Sequence, residues 1–219
     1  MTKQFFFILK KVLFPGLDIG IRKRMNFAKY LKDGDILTLD AGCGNGAFSF
    51  AAYKMGNRVL GIDSNPEKLK RTLEFRDYLK IDPKRCNFKV YNIYELPALN
   101  QKFDQIICFE TLEHLKDDEK TIKIFSAIMN HDGILHLCVP NLNRKPYYGE
   151  IISEREDGNH MRLGYTFEQL QRMVQKHGLK VIEKDTAVGF FTQKLMDLNN
   201  WLDINLLKNF SDRIIDVVH

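Results

Sequence analysis

The 219-residue chain is poor in cysteine, with only Cys43, Cys86, Cys108 and Cys138, and no two of them are close in sequence. Such spacing provides no disulfide framework. Three of the four lie in or beside apolar runs and read as reduced core thiols of a cytoplasmic protein. No apolar run approaches the ~20 residues that a helix needs to span a bilayer. Phe5–Phe14 has about the length of a signal-peptide core, but Lys10-Lys11 interrupts it and no small-residue cleavage site follows. It reads as an interfacial anchor making peripheral membrane contact or as a helix covering the substrate pocket, with packing preferred. There is no block of like charge: the net charge is +5, and the basic residues are scattered without interleaved aromatics, so nothing calls for a nucleic-acid partner. Proline and glycine are not in excess, and internal repeats and low-complexity tracts are absent. These absences exclude fibrous and disordered chains.

What is present is a globular pattern. Hydrophobic residues make up 44% and charged residues 28% of the chain, enough for one large core. Short runs rich in Ile, Val, Leu and Phe alternate with segments of helical spacing, as in repeated strand-helix units. The expected strands are 36–39, 59–62, 88–90, 105–109, 134–139, 181–184 and 188–193; the expected helices are 20–31, 47–55, 66–79, 117–129 and 166–177. Asn65-Pro66 is a helix start, Thr166 to Gln169 resembles a capping box, Gly178 is placed to end that helix, and Asn130 to Gly133 reads as a turn. The fold class expected is α/β, a seven-stranded, mostly parallel, doubly wound sheet with helices on both faces, plus an N-terminal helix and a C-terminal helical tail. The divisions expected are 1–32 for an N-terminal helical segment, 33–194 for the main domain and 195–219 for the tail. The long stretch Pro140–Tyr165 lacks periodicity, and a loop of that length inside a compact domain is more often functional than idle.

Gly42, Gly44 and Gly46 follow the first strand and precede a helix, where a backbone without Cβ atoms can approach a ligand beside helix amides. That pattern also satisfies the dinucleotide fingerprint. Asp40 separates the readings: a carboxylate there would repel a pyrophosphate but attract the ammonium of an amino-acid moiety. Asp63 ends the next strand seventeen residues after Gly46, where a carboxylate can accept both hydroxyls of a ribose.

Leu39-Asp40-Ala41-Gly42-Cys43-Gly44-Asn45-Gly46 resembles the first motif of class I (Rossmann-like) S-adenosyl-L-methionine-dependent methyltransferases, and Gly61-Ile62-Asp63 the second. The resemblance continues through Asn87–Pro97 and Phe103–Glu110, and covers about Asp35 to Lys184. It implies a cofactor site made of Asp40, Gly42, Cys43, Gly44 and Gly46 at the first turn and Asp63 with Ser64 at the ribose. It also implies Asn92 and Ile93 at the adenine and Phe109 near the methionine portion, with S-adenosyl-L-homocysteine as product. Family members commonly have Asp where this chain has Asn92, whose carbonyl oxygen can still accept from the adenine amino group.

Glu110-Thr111-Leu112-Glu113-His114 follows the fourth strand at the carboxyl edge, where open α/β sheets bind ligands. If a helical turn starts there, Glu110, Glu113 and His114 share one face and can bind one divalent cation such as Mg2+. His160, in the long loop, can supply a fourth ligand. This cluster resembles that of ubiquinone-pathway O-methyltransferases and of small-RNA 2'-O-methyltransferases. The resemblance implies in-line attack of an acceptor oxygen on the sulfonium methyl. Glu110, His114 and His160 are the candidate catalytic residues, with His114 or His160 taking the proton. A pocket-lining role without metal is the alternative. Arg144, Lys145, Tyr147 and Tyr148 either line the acceptor pocket or pack the loop.

The function expected is methyl transfer to an oxygen of a small-molecule acceptor: a metabolite, sugar or lipid-linked ring. An RNA 2'-O-methyltransferase and a non-catalytic cofactor-binding module are the alternatives. A nicotinamide enzyme fits less well, because Asp40 is wrong for a pyrophosphate and no Tyr-x-x-x-Lys follows.

Overall fold

A computed structural model of the chain describes residues 8, 11–15, 19–144, 146, 150–186, 194 and 198. They divide into two compact units: Tyr30–Arg144 with Ile152–Lys184, and the described remainder of 1–29, 145–151 and 185–219. In the smaller unit, helix α1 (Ile19–Arg24) runs into a 3-10 helix (Met25–Tyr30), the Arg22 guanidinium donates to the Leu13 carbonyl, and Lys29 pairs with Asp185.

The larger unit is built on five strands: β1 (Leu37–Ala41), β2 (Arg58–Asp63), β3 (Cys86–Val90), β4 (Phe103–Phe109) and β5 (Met129–Cys138). All pair in parallel, in the order β3-β2-β1-β4-β5. Between them lie helices α2 (Ala47–Lys54), α3 (Pro66–Tyr78) and α4 (Asp118–Ile128), with α5 (Phe167–Lys176) after the long loop. Successive strand residues face opposite sides of the sheet, so each strand divides its apolar residues between two layers. Leu39, Ala41, Leu60, Ile62, Ile106 and Cys108 form one core with Ile122 and Phe125 of α4. On the opposite face, Gly61 leaves space that the Phe88 ring fills, and the Phe50 ring of α2 packs edge-on against both Phe88 and Phe75 of α3.

The helix ends follow local chemistry. Asn65 accepts from the Lys68 amide ahead of Pro66, and Thr166 and Gln169 exchange both hydrogen bonds of a capping box. Gly178 has φ +79° just past α5.

The sheet departs from expectation in number: the described residues contain five strands, not seven. Among the described residues, 181–184 is not a strand and no neighbour takes its backbone hydrogen bonds; Val181 packs against the core while Ile182 is 70% exposed. Segment 188–193 lies outside the described residues. Asn130–Gly133, expected as a turn, lies inside β5, where the pairing jumps from Phe103↔Met129 to Gln105↔Ile134 and the extra residues bulge out of the ladder. Half of Phe5–Phe14 (5–7, 9 and 10), the tail 195–219 apart from Leu198, and Lys145, Tyr147 and Tyr148 also lie outside the described residues. No described helix is long and apolar enough to cross a membrane.

Candidate functional site

The carboxyl ends of β1, β2 and β4 converge on the glycine turn. The amides of Gly42 and Cys43 both donate to the Ile62 carbonyl at 2.8 and 2.9 Å, pinning the turn to β2. Gly42 adopts φ +79°, and a Cβ there would lie 2.2 Å from the Thr111 hydroxyl, so only glycine lets the turn pack on the segment after β4. Gly44 differs: at φ +52°, its missing Cβ would meet nothing within 4 Å, which leaves a bare backbone facing open space. Gly46 caps α2, also in the left-handed region. Cys43 is buried, and burial pushes its thiol well above the usual range, so it lines the turn as an uncharged side chain.

Two carboxylates flank this backbone. Asp40 is 3% exposed and accepts the Ser49 hydroxyl at 2.6 Å. Burial raises its pKa to about 6, against the lowering effect of that hydrogen bond. Asp63 accepts the Gly44 amide on one oxygen and the Asn65 amide on the other, both at 2.9 Å. Each oxygen of Asp63 retains a lone pair, and Ser64 beside it is exposed. At the end of β3, Asn92 accepts the Tyr94 amide at 2.9 Å and so caps the 3-10 helix Ile93–Leu99, with Ile93 buried. Phe109, at the end of β4, packs edge-on against Phe48 of α2 with centroids 4.5 Å apart.

After β4 the backbone turns sharply. Glu110 takes φ +50°, a region that non-glycine residues seldom enter, while its amide donates to the Cys138 carbonyl and one carboxylate oxygen lies 3.7 Å from the Cys138 thiol. A 3-10 turn then covers Leu112–His114. Glu113, His114 and His160 come together, with donor atoms all within 4.8 Å of one another. The two imidazole rings lie 4.7 Å apart, edge to face. Glu110 does not join this trio, because the helical turn starts at Leu112 instead of Glu110 and the left-handed residue points its side chain elsewhere. Its charge still reaches His114.

The His114 Nδ1 lies 2.9 Å from the Asn159 carbonyl. A carbonyl can only accept, so Nδ1 carries the proton and Nε2 presents a lone pair. Burial holds the His114 pKa below the usual range, with the neighbouring His160 acting in the same direction. The loop that brings His160 and Asn159 here is held by the Met161 amide on the Glu113 carbonyl and by Arg162, which pairs with Asp118 at 2.5 Å. Spacing in the sequence could not disclose the roles of Arg162 or Glu156, whose partners Asp118 and Tyr94 lie tens of residues away.

Residues 32–200 match the methyltransferase domain family, about three quarters of the chain. The chain belongs to that family. Among curated relatives, the ubiquinone biosynthesis O-methyltransferase of Actinobacillus pleuropneumoniae serotype 5b (strain L20) is 34% identical over 116 residues, 52% of this chain and 50% of the relative. The mitochondrial ubiquinone biosynthesis O-methyltransferase of Bos taurus is 25% identical over 171 residues, 74% of this chain and 45% of the relative. The chain spans about half the length of these curated relatives. Among solved structures, the magnesium protoporphyrin IX methyltransferase of Synechocystis PCC 6803 superposes with a TM-score of 0.55 at 16% identity, covering 79% of this chain and 73% of that one, a likeness of fold. The methyltransferase domain thus has the Rossmann-like fold, and its family is that of class I S-adenosyl-L-methionine-dependent methyltransferases, as the motifs at Leu39–Gly46 and Gly61–Asp63 imply.

The first turn of the methyltransferase domain fits its cofactor. The backbone at Gly44 is bare toward open space that a Cβ would enter, and its amide is tied to Asp63. Asp40 lies below as an anion suited to a cation and hostile to phosphate.

Proposed function

We propose that this methyltransferase transfers the methyl group of S-adenosyl-L-methionine to a hydroxyl oxygen of a small-molecule acceptor, a metabolite, sugar or lipid-linked ring. The observation that carries this reading is the trio of Glu113, His114 and His160 at the carboxyl edge beside the glycine turn. The two relatives' names, both ubiquinone biosynthesis O-methyltransferases, support an oxygen acceptor.

The proposed site has two halves. In the cofactor half, Asp40, Gly42, Cys43, Gly44 and Gly46 take the amino-acid end, Asp63 and Ser64 the ribose, Asn92 and Ile93 the adenine, and Phe109 the methionine portion. Bound there, the cofactor supplies a methyl group on a sulfonium that leaves as a neutral thioether. Little acid-base machinery is then needed, and alignment carries much of the rate. The acceptor hydroxyl must lose one proton as the new C–O bond forms. His114, neutral and with Nε2 free of the Asn159 bond, is positioned to take it, and His160 is the alternative base.

A second reading assigns the trio to a divalent cation such as Mg2+. A carboxylate and two imidazoles within 4.8 Å are a suitable donor set, and such an ion would lower the pKa of a bound hydroxyl. A divalent-ion titration separates the two readings: unchanged turnover and melting temperature leave the imidazoles as bases only.

Incubation with cofactor labelled at the methyl group and a cell extract tests the whole proposal. Label is expected in an extractable metabolite, released as methanol or methyl iodide under ether-cleaving conditions. Label confined to RNA supports the RNA 2'-O-methyltransferase reading, and tight cofactor binding without transfer supports a non-catalytic module.

A further inference from the structure

The 3-10 helix that follows Asn92 places one side chain across to the long loop. Tyr94, in its first turn, donates its hydroxyl to Glu156 Oε1 at 2.6 Å and accepts the Asp117 amide at 3.1 Å. The same Glu156 oxygen accepts the Lys116 amide at 2.5 Å. Lys120 of α4 lies over the Tyr94 ring, 5.2 Å from its centroid. One phenol therefore joins the end of β3, the start of α4 and the loop at Glu156.

Glu156 is four residues from His160 and three from Asn159. The intervening loop is tightly wound: the Asn159 amide and the Ser153 hydroxyl both donate to Asp157, and the Ser153 amide donates to the His160 carbonyl. Glu156 is thereby joined by a short hydrogen-bonded stretch of chain to the carbonyl that orients His114 and to His160. Burial and Glu156 push the Tyr94 phenol up to about 12, so it remains a donor throughout the physiological range.

We propose that Tyr94 is a positioning residue that couples cofactor binding at Asn92 and Ile93 to the setting of the Asn159–His160 loop, through its hydrogen bond to Glu156. This rests on the proposed assignment of Asn92 and Ile93 to the adenine edge. Tyr94 directly follows that edge, and its amide is the one that Asn92 caps. Occupancy that fixes Asn92 and Ile93 restrains the Tyr94 backbone and lowers the entropy lost when its hydroxyl engages Glu156. By linkage, a formed Tyr94–Glu156 bond favours cofactor binding by the same factor.

Hydrogen exchange of the full chain with and without S-adenosyl-L-homocysteine tests this, with binding measured by calorimetry. In the wild type, the ligand is expected to slow exchange at 92–95 and, by about tenfold, at 153–161. In Tyr94→Phe the slowing at 92–95 persists, while that at 153–161 falls to about twofold or less. Glu156→Ala gives the same pattern from the loop side. Glu156→Gln, which keeps an acceptor oxygen, retains most of the effect, a rescue that general loosening of the loop would not produce. Equal loop protection in Tyr94→Phe and wild type overturns the proposal, as does wild-type protection at 92–95 with none at 153–161. Bound ligand without protection at 92–95 overturns the adenine-edge assignment, and the coupling with it.

Discussion

The Asn159 carbonyl lies 2.9 Å from His114 Nδ1, across 45 residues of chain, and so decides which imidazole nitrogen is basic. The long loop therefore does more than cover the carboxyl edge of the sheet. It supplies His160 as a neighbour and sets the tautomer of the histidine beside it. The buried Glu113 carboxylate lies within 4.8 Å of donor atoms of both histidines, and its carbonyl holds the loop through the Met161 amide. Orientation of a base by a backbone carbonyl needs no further charged group, in keeping with a reaction whose leaving group is neutral.

Replacing His114 by Gln removes the basic nitrogen and keeps a polar side chain. Methyl transfer is expected to fall by about a hundredfold or more, the usual worth of a positioned base. Affinity for S-adenosyl-L-homocysteine should stay near that of the wild type, because the cofactor half does not include His114. Labelled-methyl transfer and calorimetry on the same preparation check both halves; full transfer in the variant would remove His114 as the base.

The two glycines of the turn are expected to respond differently. A Cβ at Gly42 would strike the buried Thr111 side chain at 2.2 to 2.9 Å on a left-handed backbone, so Gly42→Ala should destabilise the fold by about 3 kcal/mol. At Gly44 the Cβ enters open space, and the loss should be only the left-handed strain, about 1 to 2 kcal/mol. On the proposed assignment of this turn to the cofactor, its methyl group takes space that the ligand needs, so ligand affinity is expected to drop by about tenfold or more. Thermal melts paired with calorimetry distinguish stability loss from affinity loss, and Gly44→Ala with unaltered affinity would exclude backbone approach at that position.

The parts of this site that depend on adjacent residues were legible in the sequence. The Asn65 and Thr166 caps act within three residues, so pattern and chemistry coincide, and the glycine turn and the strand-end acids are legible because each stands beside a strand end in the sequence. Helical spacing puts Glu110 with Glu113 and His114, but its left-handed backbone removes it from their face. That conformation depends on the Cys138 carbonyl of β5, which no local pattern encodes. The Tyr94–Glu156 bond spans 62 residues and was invisible for the same reason. Val181–Lys184 has strand-like residues but no strand beside it among the described residues, and the apolar pattern alone does not report a missing partner.

Gln105, on β4, is fully buried and uses both ends of its amide. Its nitrogen donates to Thr38 and Asn57, and its oxygen accepts from the Lys32 amide and faces His136 Nε2 at 3.0 Å. Gln105→Leu keeps much of the volume but takes the acceptor from the Lys32 amide and the partner from His136 Nε2, and leaves Thr38 and Asn57 with their mutual bond and the Asn57 bonds to the Lys32 and Gly34 carbonyls, so a loss of about 2 kcal/mol is expected in urea unfolding. Substituting Lys89, exposed on β3, should change stability by about 0.5 kcal/mol or less and provides the control.

Asp40 and His136 give the fold opposing pH dependences over nearly the same range. Asp40 titrates near 3.8 unfolded and about 6 folded, so between those values the folded state binds more protons and stability falls as pH rises, by about 3 kcal/mol in all. His136 titrates near 6.5 unfolded and, pushed down by burial, about 4 folded. There the unfolded state binds more protons, and stability rises with pH by about 3 kcal/mol over that window. The two effects nearly cancel between about pH 4 and 6. Asp40→Asn should therefore expose the histidine dependence, giving a melting temperature that climbs steadily from acid to pH 7 and, at pH 7, exceeds that of the ligand-free wild type. His136→Gln should expose the reverse slope. Because cofactor binding would favour the ionised Asp40, wild-type affinity for S-adenosyl-L-homocysteine is also expected to weaken below about pH 6, and the weakening should be absent in Asp40→Asn. Parallel melting curves for wild type and Asp40→Asn across this range would show that the buried carboxylate does not titrate there.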